Sequence, residues 1–275
     1  PGDSGPCGGD TEIFYWRDDS SVPEKFDPED SRWVEIWNNV FMEFYQDENG
    51  NVTELEQKNV DTGMGLERVV AVLEGKTDNY LTSIWDKART CLEKLSGLTY
   101  EGNEKSMRII LDHIRTSVFI AGDPAGIKPS NTDQGYILRR LIRRAVRHER
   151  KLNIDINSDI DIELAKIFIE EYAPYYSELS QNKDVILDVI KNEKIKFSRT
   201  LEKGLKEFEK MTSNLSEKKL NKDLAFKLYD TYGFPIELTK ELADELNIEV
   251  DVDGFKEKFK AHQELSRKGM GTKFK

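Results

Sequence analysis

The hydrophobic period of this chain changes once, between residues 60 and 66, and that change restricts it to a sheet followed by helices. Thr11 to Trp16 is aromatic and β-prone, and Trp33 to Gln46 alternates over a long stretch before a second run begins at Val52. Between the last two lies Glu48-Asn49-Gly50-Asn51. Asn49-Gly50 there predicts a hairpin with a type I′ turn, in which both central residues take positive φ. From Gly63 onward the spacing is helical: Leu66, Val69, Val70 and Leu73 follow i, i+3, i+4, i+7, predicting a helix from Met64 to Glu74 that ends near Gly75. Beyond Lys76 the same reading predicts helices at Tyr80 to Leu95, Ser106 to Phe119, Gly135 to Leu152, Asp159 to Tyr172, Asp184 to Met211, Asn221 to Tyr229 and Pro235 to Leu246. The expected fold class is therefore α+β, with an antiparallel sheet in residues 1–76 and an all-α domain in residues 77–275. A length of 275 residues suits two domains.

Composition agrees with long one-sided helices, since 34% of the residues are charged against about 25% in an ordinary globular chain. The longest uninterrupted apolar run, Val69 to Leu73, is far short of the roughly 20 residues that cross a bilayer, so no membrane span is expected. No basic leader opens the sequence, which starts at Pro1 and is read as a piece of something longer. Two distant cysteines, Cys7 and Cys91, and three isolated histidines lack metal-ligand spacing. Neither zinc nor a disulfide framework is expected, and a reducing cytoplasm fits best. The net charge of −11 argues against a polyanionic partner. Its distribution argues the other way. From Lys105 to Lys151 eleven Lys or Arg face four acids, so this region carries +7 and the remainder −18.

Two places could carry chemistry. In Val60-Asp61-Thr62-Gly63-Met64-Gly65-Leu66-Glu67-Arg68 a carboxylate ends a strand, two glycines let backbone approach a ligand, and an arginine stands on the first helical turn. Asp61 could pair with an ammonium and Arg68 could fork onto a phosphate; a tight turn with a surface Glu67-Arg68 pair is the plainer alternative. On the preceding strand a period of two sets Asn38 on one face with Ile36, Val40 and Met42, and an amide there needs a partner, from a ligand carboxylate or from the hairpin itself. The second place is Gly135 to Leu152. Ile137, Leu138, Leu141, Ile142, Ala145 and Val146 form an apolar stripe, while Arg139, Arg140, Arg143, Arg144, Arg147 and Arg150 crowd the rest of the helix. Six arginines within twelve residues suit phosphate contacts, but a solvated face, ion pairs to acidic helices or a membrane-surface helix would use them equally.

Taken together, Gly5-Pro6-Cys7-Gly8, Glu35-Ile36-Trp37-Asn38 with Val40-Phe41-Met42, Asp61 to Arg68, Asp112-His113-Ile114-Arg115, Pro129-Ser130-Asn131, Gly135-Tyr136 through His148, and Leu228 to Pro235 are recognisable. The chain resembles the alanyl-tRNA synthetase family of class II aminoacyl-tRNA synthetases, with matching stretches in the family's order over most of its length. The resemblance implies that residues 1–76 are the C-terminal part of a class II catalytic domain and that residues 77–275 are a helical tRNA-recognition domain. It implies an alanine-tRNA ligase as parent, with ATP, L-alanine and the alanine tRNA acceptor stem as partners and magnesium accompanying ATP. Gly63 to Arg68 would be the third class II signature motif, with Gly63, Gly65 and Arg68 at ATP and Arg68 the catalytic arginine. Asp61 would hold the alanine ammonium, while Asn38, Val40 and Gly63 line the amino-acid pocket. Asn131 and Asp230 would read the G·U wobble at the third base pair of the acceptor stem, with Arg139, Arg140, Arg143, Arg144 and Arg147 on the tRNA.

The departures set further expectations. Gly9-Asp10 stands where the family usually has Pro-Cys, so Cys7 is given no metal role, and no magnesium ligand is named. The first two class II motifs would precede Pro1, so the fragment is expected to lack the N-terminal half of the catalytic domain and to make no alanyl-adenylate alone. A non-catalytic, synthetase-like nucleic-acid-binding module is the alternative. Two roles also have local competitors: Asn131 could be a helix N-cap, and Asp230 could merely organise the turn before Gly233-Phe234-Pro235.

Overall fold

A computed structural model describes residues 4–18, 20–213, 215 and 218–271. The chain divides into two compact units, the first ending at Lys87 and the second beginning at Ala88, inside helix α2 (Asp86–Ser96). In the first unit β1 (Gly5–Cys7), β2 (Asp10–Trp16), β3 (Trp33–Gln46) and β4 (Val52–Met64) form an antiparallel sheet in which β1, β2 and β4 all pair with β3. The hairpin falls where Asn49-Gly50 predicts it, but its turn is not type I′. Positive φ occurs only at Gly50 (82°), and the connection is a longer loop held by Asp47, whose Oδ1 accepts from the Asn49 and Asn51 amides at 2.8 and 2.9 Å. An Asx-type side-chain bond replaces the tight backbone turn.

Alternation along β3 gives the sheet two unlike faces. Ile13, Trp37 and Met64 are in register across three strands, as are Phe41 and Val60 across two, and all five side chains are exposed. The opposite face is mixed, with Asp10, Glu12, Asn38 and Asp61 beside Val40 and Met42. At one end an aromatic cluster anchors the sheet, with Phe14 against Phe26 and Trp16 edge-on to Trp33. Helix α1 (Leu66–Leu73) starts directly after β4, two residues inside the predicted start. The helix predicted over Tyr80 to Leu95 is broken: Asn79–Leu81 is a single 3-10 turn capped by Asp78, and Ser83 bonds back to Glu74, so α2 begins only at Asp86. Side-chain bonds to local backbone win there over helix continuation.

The second unit is helical around one closed core. Its elements are α3 (Glu104–Gly122), α4 (Asp133–Lys151), α5 (Ile160–Tyr172), α6 (Ser177–Gln181), α7 (Lys183–Ser213), α8 (Lys222–Tyr232), α9 (Ile236–Asp244) and α10 (Val252–Gly271). The apolar stripe expected on α4 is buried where it matters: Leu138, Ile142, Ala145 and Val146 join Ile110, Ile114, Phe168, Phe197 and Phe234 in the interior. Two dipeptide strands, β5 (Lys219–Leu220) and β6 (Glu249–Val250), pair in parallel and are too short for any periodicity to announce them. At the far end of α4, Lys194 of α7 donates to Glu149, Asp161 and the Ser158 carbonyl at 2.7 to 2.9 Å, closing a buried charge triad between α4, α5 and α7.

Candidate functional site

In the first unit the strand register brings together the four residues expected at the amino acid, Asn38, Val40, Asp61 and Gly63. Asn38 lies opposite Gly63 and Val40 opposite Asp61, so these four positions share the mixed face of β3 and β4. A register shift between Met42 and Phe44 keeps this alignment although the hairpin connection is long. Two further carboxylates arrive from β2, where Asp10 pairs with Val40 and Glu12 with Asn38. The Asn38 amide donates to Asp10 Oδ2 and Glu12 Oε1, both at 3.4 Å, which turns its carbonyl oxygen away from them. The sequence reading missed Asp10 and Glu12. Their signal was the same i, i+2 spacing that marked Asn38 and Val40. Three carboxylates and an amide carbonyl on one exposed face can accept hydrogen bonds from a cationic donor. At the end of β4 the Gly65 amide donates to the Ile36 carbonyl at 3.1 Å, and Arg68, half-exposed, donates from Nη1 to the Glu35 carbonyl at 2.8 Å. Arg68 is thus anchored by one edge of its guanidinium. Among the described residues no three His, Cys, Asp or Glu side chains converge as a protein-built metal site requires, so the residues present do not define a magnesium site.

In the second unit five of the six arginines of α4 separate into two stripes, while Arg150 pairs with Glu202 of α7. Arg140 donates to Glu237 at 2.9 Å, Arg144 to Glu241 at 2.9 Å and Arg147 to Glu245 at 2.9 Å, while Lys151 also reaches Glu245 and Tyr136 donates to Glu237. Glu237 and Glu241 lie four residues apart on α9, with Glu245 just past its end, so one acidic edge matches one basic edge. His148, buried, sits 3.0 Å from Glu241 and from Ser106. Burial disfavours a charge on Glu241, but hydrogen bonds from His148 and Arg144 outweigh it and hold the carboxyl far below the usual carboxylate range. Burial pushes His148 down, so its imidazole stays neutral near pH 7.

The other stripe faces a groove of about 270 Å³ lined by Asn131, Arg139, Arg143, Lys196, Asp230 and His262, among others. Here Asn131 and Asp230, about a hundred residues apart in sequence, come to one surface. Neither is the cap that its position allowed. The N-cap of α4 is Thr132, and α8 ends on Gly233 in the left-handed region, with the Phe234 and Gly233 amides returning to the Leu228 and Tyr229 carbonyls. Asp230 instead stands in the last turn of α8, where a carboxylate opposes the helix dipole. His262 Nε2 lies 3.7 Å from Asp230 Oδ1. Arg139 lies over the Tyr229 ring, 5.8 Å from the centroid, and no carboxylate among the described residues is at ion-pair distance from it.

An antiparallel sheet runs through a glycine-flanked junction into the arginine-bearing helix α1, and the chain continues into a helical unit with a groove lined by Asn131, Arg139, Arg143 and Asp230. The chain belongs to the tRNA synthetases class II (A), whose family model matches residues 1–275. Among curated relatives it is 46% identical over 279 residues to the alanine–tRNA ligase of Borrelia hermsii (strain HS1 / DAH) and 45% over 285 residues to that of Treponema pallidum (strain Nichols). It is 39% identical over 290 residues to the alanine–tRNA ligase of Neisseria meningitidis serogroup C / serotype 2a (strain ATCC 700532 / DSM 15464 / FAM18). All of this chain is aligned in each case, against 47%, 46% and 33% of the relatives, so it spans about half the length of the first two.

Proposed function

We propose that these 275 residues supply the alanine-holding sheet and the acceptor-stem-reading domain of a cytoplasmic alanine-tRNA ligase. In such a ligase an alanine carboxylate oxygen bonds to the α-phosphorus of ATP as the bond to pyrophosphate breaks. The terminal hydroxyl of tRNA then attacks the alanyl carbonyl and AMP leaves. Asp61 accepts the substrate ammonium, Asn38, Val40 and Gly63 lie beside it on the same sheet face where the small side chain of alanine would rest, and Arg68, with Gly65 at its base, forks onto phosphate with the edge that Glu35 does not hold. Positioning and fixed charge do most of this work. In this class magnesium accompanies ATP and would offset charge on its phosphates. A purely RNA-binding module is disfavoured by the shared face of Asn38, Val40, Asp61 and Gly63, for which such a module has no use.

The observation that carries the reading is the groove joining Asn131 to Asp230. An amide and a carboxylate across a groove present the donors and acceptors that tell a wobble pair from a standard one, and Arg139 beside them suits a phosphate. The test is binding of acceptor-stem hairpins carrying G·U or G·C at the third pair to the 275-residue chain. Asn131→Ala and Asp230→Ala are each expected to lower the G·U preference by about 1 to 3 kcal/mol. Asp230→Ala should leave the melting temperature unchanged or slightly raised, because it removes a charge that opposes the helix dipole. A preference that survives both substitutions withdraws the recognition role. For the sheet, Asp61→Ala in a ligase containing this chain is expected to reduce alanine-dependent ATP–pyrophosphate exchange by about 1.5 to 3 kcal/mol in kcat/KM for alanine. Unchanged alanine kinetics would mean the pocket is assigned wrongly.

A further inference from the structure

Arg143 belongs to the groove by position but not by chemistry. Its guanidinium is nearly buried and spans two elements. Nε donates to Glu193 Oε1 of α7 at 2.6 Å, Nη2 lies 2.5 Å from the same carboxylate, and Nη1 donates to the Gly233 carbonyl. Phe197 supports it from beneath, 5.1 Å from ring centroid to guanidinium carbon. Glu193 is 4% exposed and brings its charge with it, so the pair is close to neutral. The turn it holds is the one that follows Asp230. Gly233 has φ 71°, and a Cβ there would stand 2.2 Å from Arg143 Nη1, so the guanidinium packs directly on backbone. From α7, Thr200 ties the preceding carbonyl, donating to Tyr232 at 2.8 Å.

We propose that Arg143 is a positioning residue for the wobble-reading groove: with Glu193 it fixes the Tyr232-Gly233 turn, and through it the height of Asp230 opposite Asn131, rather than contacting tRNA phosphate. The inference rests on the groove being the acceptor-stem site. Two features carry it beyond packing. An arginine meant for phosphate would not be neutralised at 2.5 Å by a buried glutamate, whose charge would repel the incoming phosphate. A guanidinium fork can fix a carbonyl and a carboxylate in one plane, which the point charge of a lysine cannot. The two arginines of this stripe therefore divide the labour, Arg139 toward the ligand and Arg143 toward the turn.

The experiment compares wild type, Arg143→Lys, the double variant Arg143→Met with Glu193→Met, and Arg140→Ala. Each is measured for Kd on G·U and G·C hairpins at several salt concentrations, with a thermal melt of every protein. Arg143→Lys keeps the charge and is expected to retain the G·C affinity and the salt slope while losing about tenfold of the G·U preference. The double variant removes both charges, so no unpaired ion is left to unfold the chain, and it should lose the preference to the same degree. Equal weakening on both hairpins with a salt slope shallower by about one unit in the double variant would make Arg143 a phosphate contact and overturn the proposal. So would a folded double variant that keeps the preference. If Arg140→Ala, matched for melting temperature, loses the preference as fully, the effect is general loosening and the proposal falls. A preference absent from wild type, or insensitive to Asn131→Ala and Asp230→Ala, instead defeats the groove reading on which this one stands.

Discussion

The two arginine stripes of α4 have the same residue type on the same helix and different surroundings: one is paired along its length with a row of carboxylates, while in the other Arg143 is held by buried Glu193 and Arg139 lies against Tyr229. Arg140, Arg144 and Arg147 meet a matching row of carboxylates from Glu237 to Glu245, whereas Arg139 and the outer edge of Arg143 look onto a groove with Asn131 and Asp230. A basic helix is therefore not evidence of a basic surface. What matters is whether an acidic edge has already been folded against it, because a paired cation offers phosphate little net field. Of the five arginines that the family resemblance places on tRNA, Arg139 alone makes no ion pair among the described residues, its guanidinium lying against Tyr229.

Removing the central carboxylate breaks the contrast most severely. Glu241→Ala would leave Arg147, 5% exposed, short of one partner and deprive Arg144 and buried His148 as well. A loss of about 3 to 5 kcal/mol in a urea titration is expected, the range for breaking a buried pair, with the G·U to G·C binding ratio of the remaining folded protein unchanged. A loss below about 1 kcal/mol would reduce the ladder to ordinary surface pairing.

A pH titration sharpens the same contrast from within α4. Glu149, completely buried beside Asp161, has its carboxyl pushed up to about 7 by burial first and by the Asp161 charge second, with Lys194 opposing. The folded state then binds more protons than the unfolded state between about pH 4.5 and 7, so stability falls as pH rises through that window, by at most about 1.4 kcal/mol per unit for one proton. Glu241 has the opposite sign. Its contribution is complete above its unfolded value and is lost as pH falls below about 4.5. Glu149→Gln should flatten the decline from pH 5 to 7 in chemical denaturation and leave the acid limb intact; a decline that persists would place the titrating proton elsewhere.

The smallest effect belongs to the exposed end of the ladder. Arg140 and Glu237 are both about a third or more exposed, so Arg140→Ala should cost only about 0.2 to 1 kcal/mol in the urea midpoint. The salt slope of hairpin binding should not change. A slope shallower by about one unit would show Arg140 leaving Glu237 for a phosphate, and the two stripes would then be one surface.

Much of this architecture is legible in the chain itself. A period of two along Trp33 to Gln46 already sets Asn38 and Val40 on one side of a strand, and pairing with β4 adds Asp61 and Gly63 without a further rule. The helical spacing of Leu138, Ile142, Ala145 and Val146 likewise names the buried side of α4. Local side-chain competition was less legible. Ser83 bonding to Glu74 broke a helix that periodicity would have continued, and Asp47 replaced a tight turn with a loop. Thr132, not Asn131, caps α4, because the chain between Ser130 and Asp133 turns on the Ser130 hydroxyl, which accepts from the Thr132 amide.

The order of residues is enough to say which side of its own helix or strand each one occupies, because backbone geometry fixes that angle within a few residues. It could not determine what would come to lie on that side. Glu237 reaches Arg140, and Glu241 reaches Arg144, across 97 residues, and Asp230 approaches Asn131 over a similar separation. Which carboxylate meets which arginine, and that Arg139 is left against Tyr229, follows from packing between distant segments, since electrostatic energy depends on distance in space and no local period encodes it.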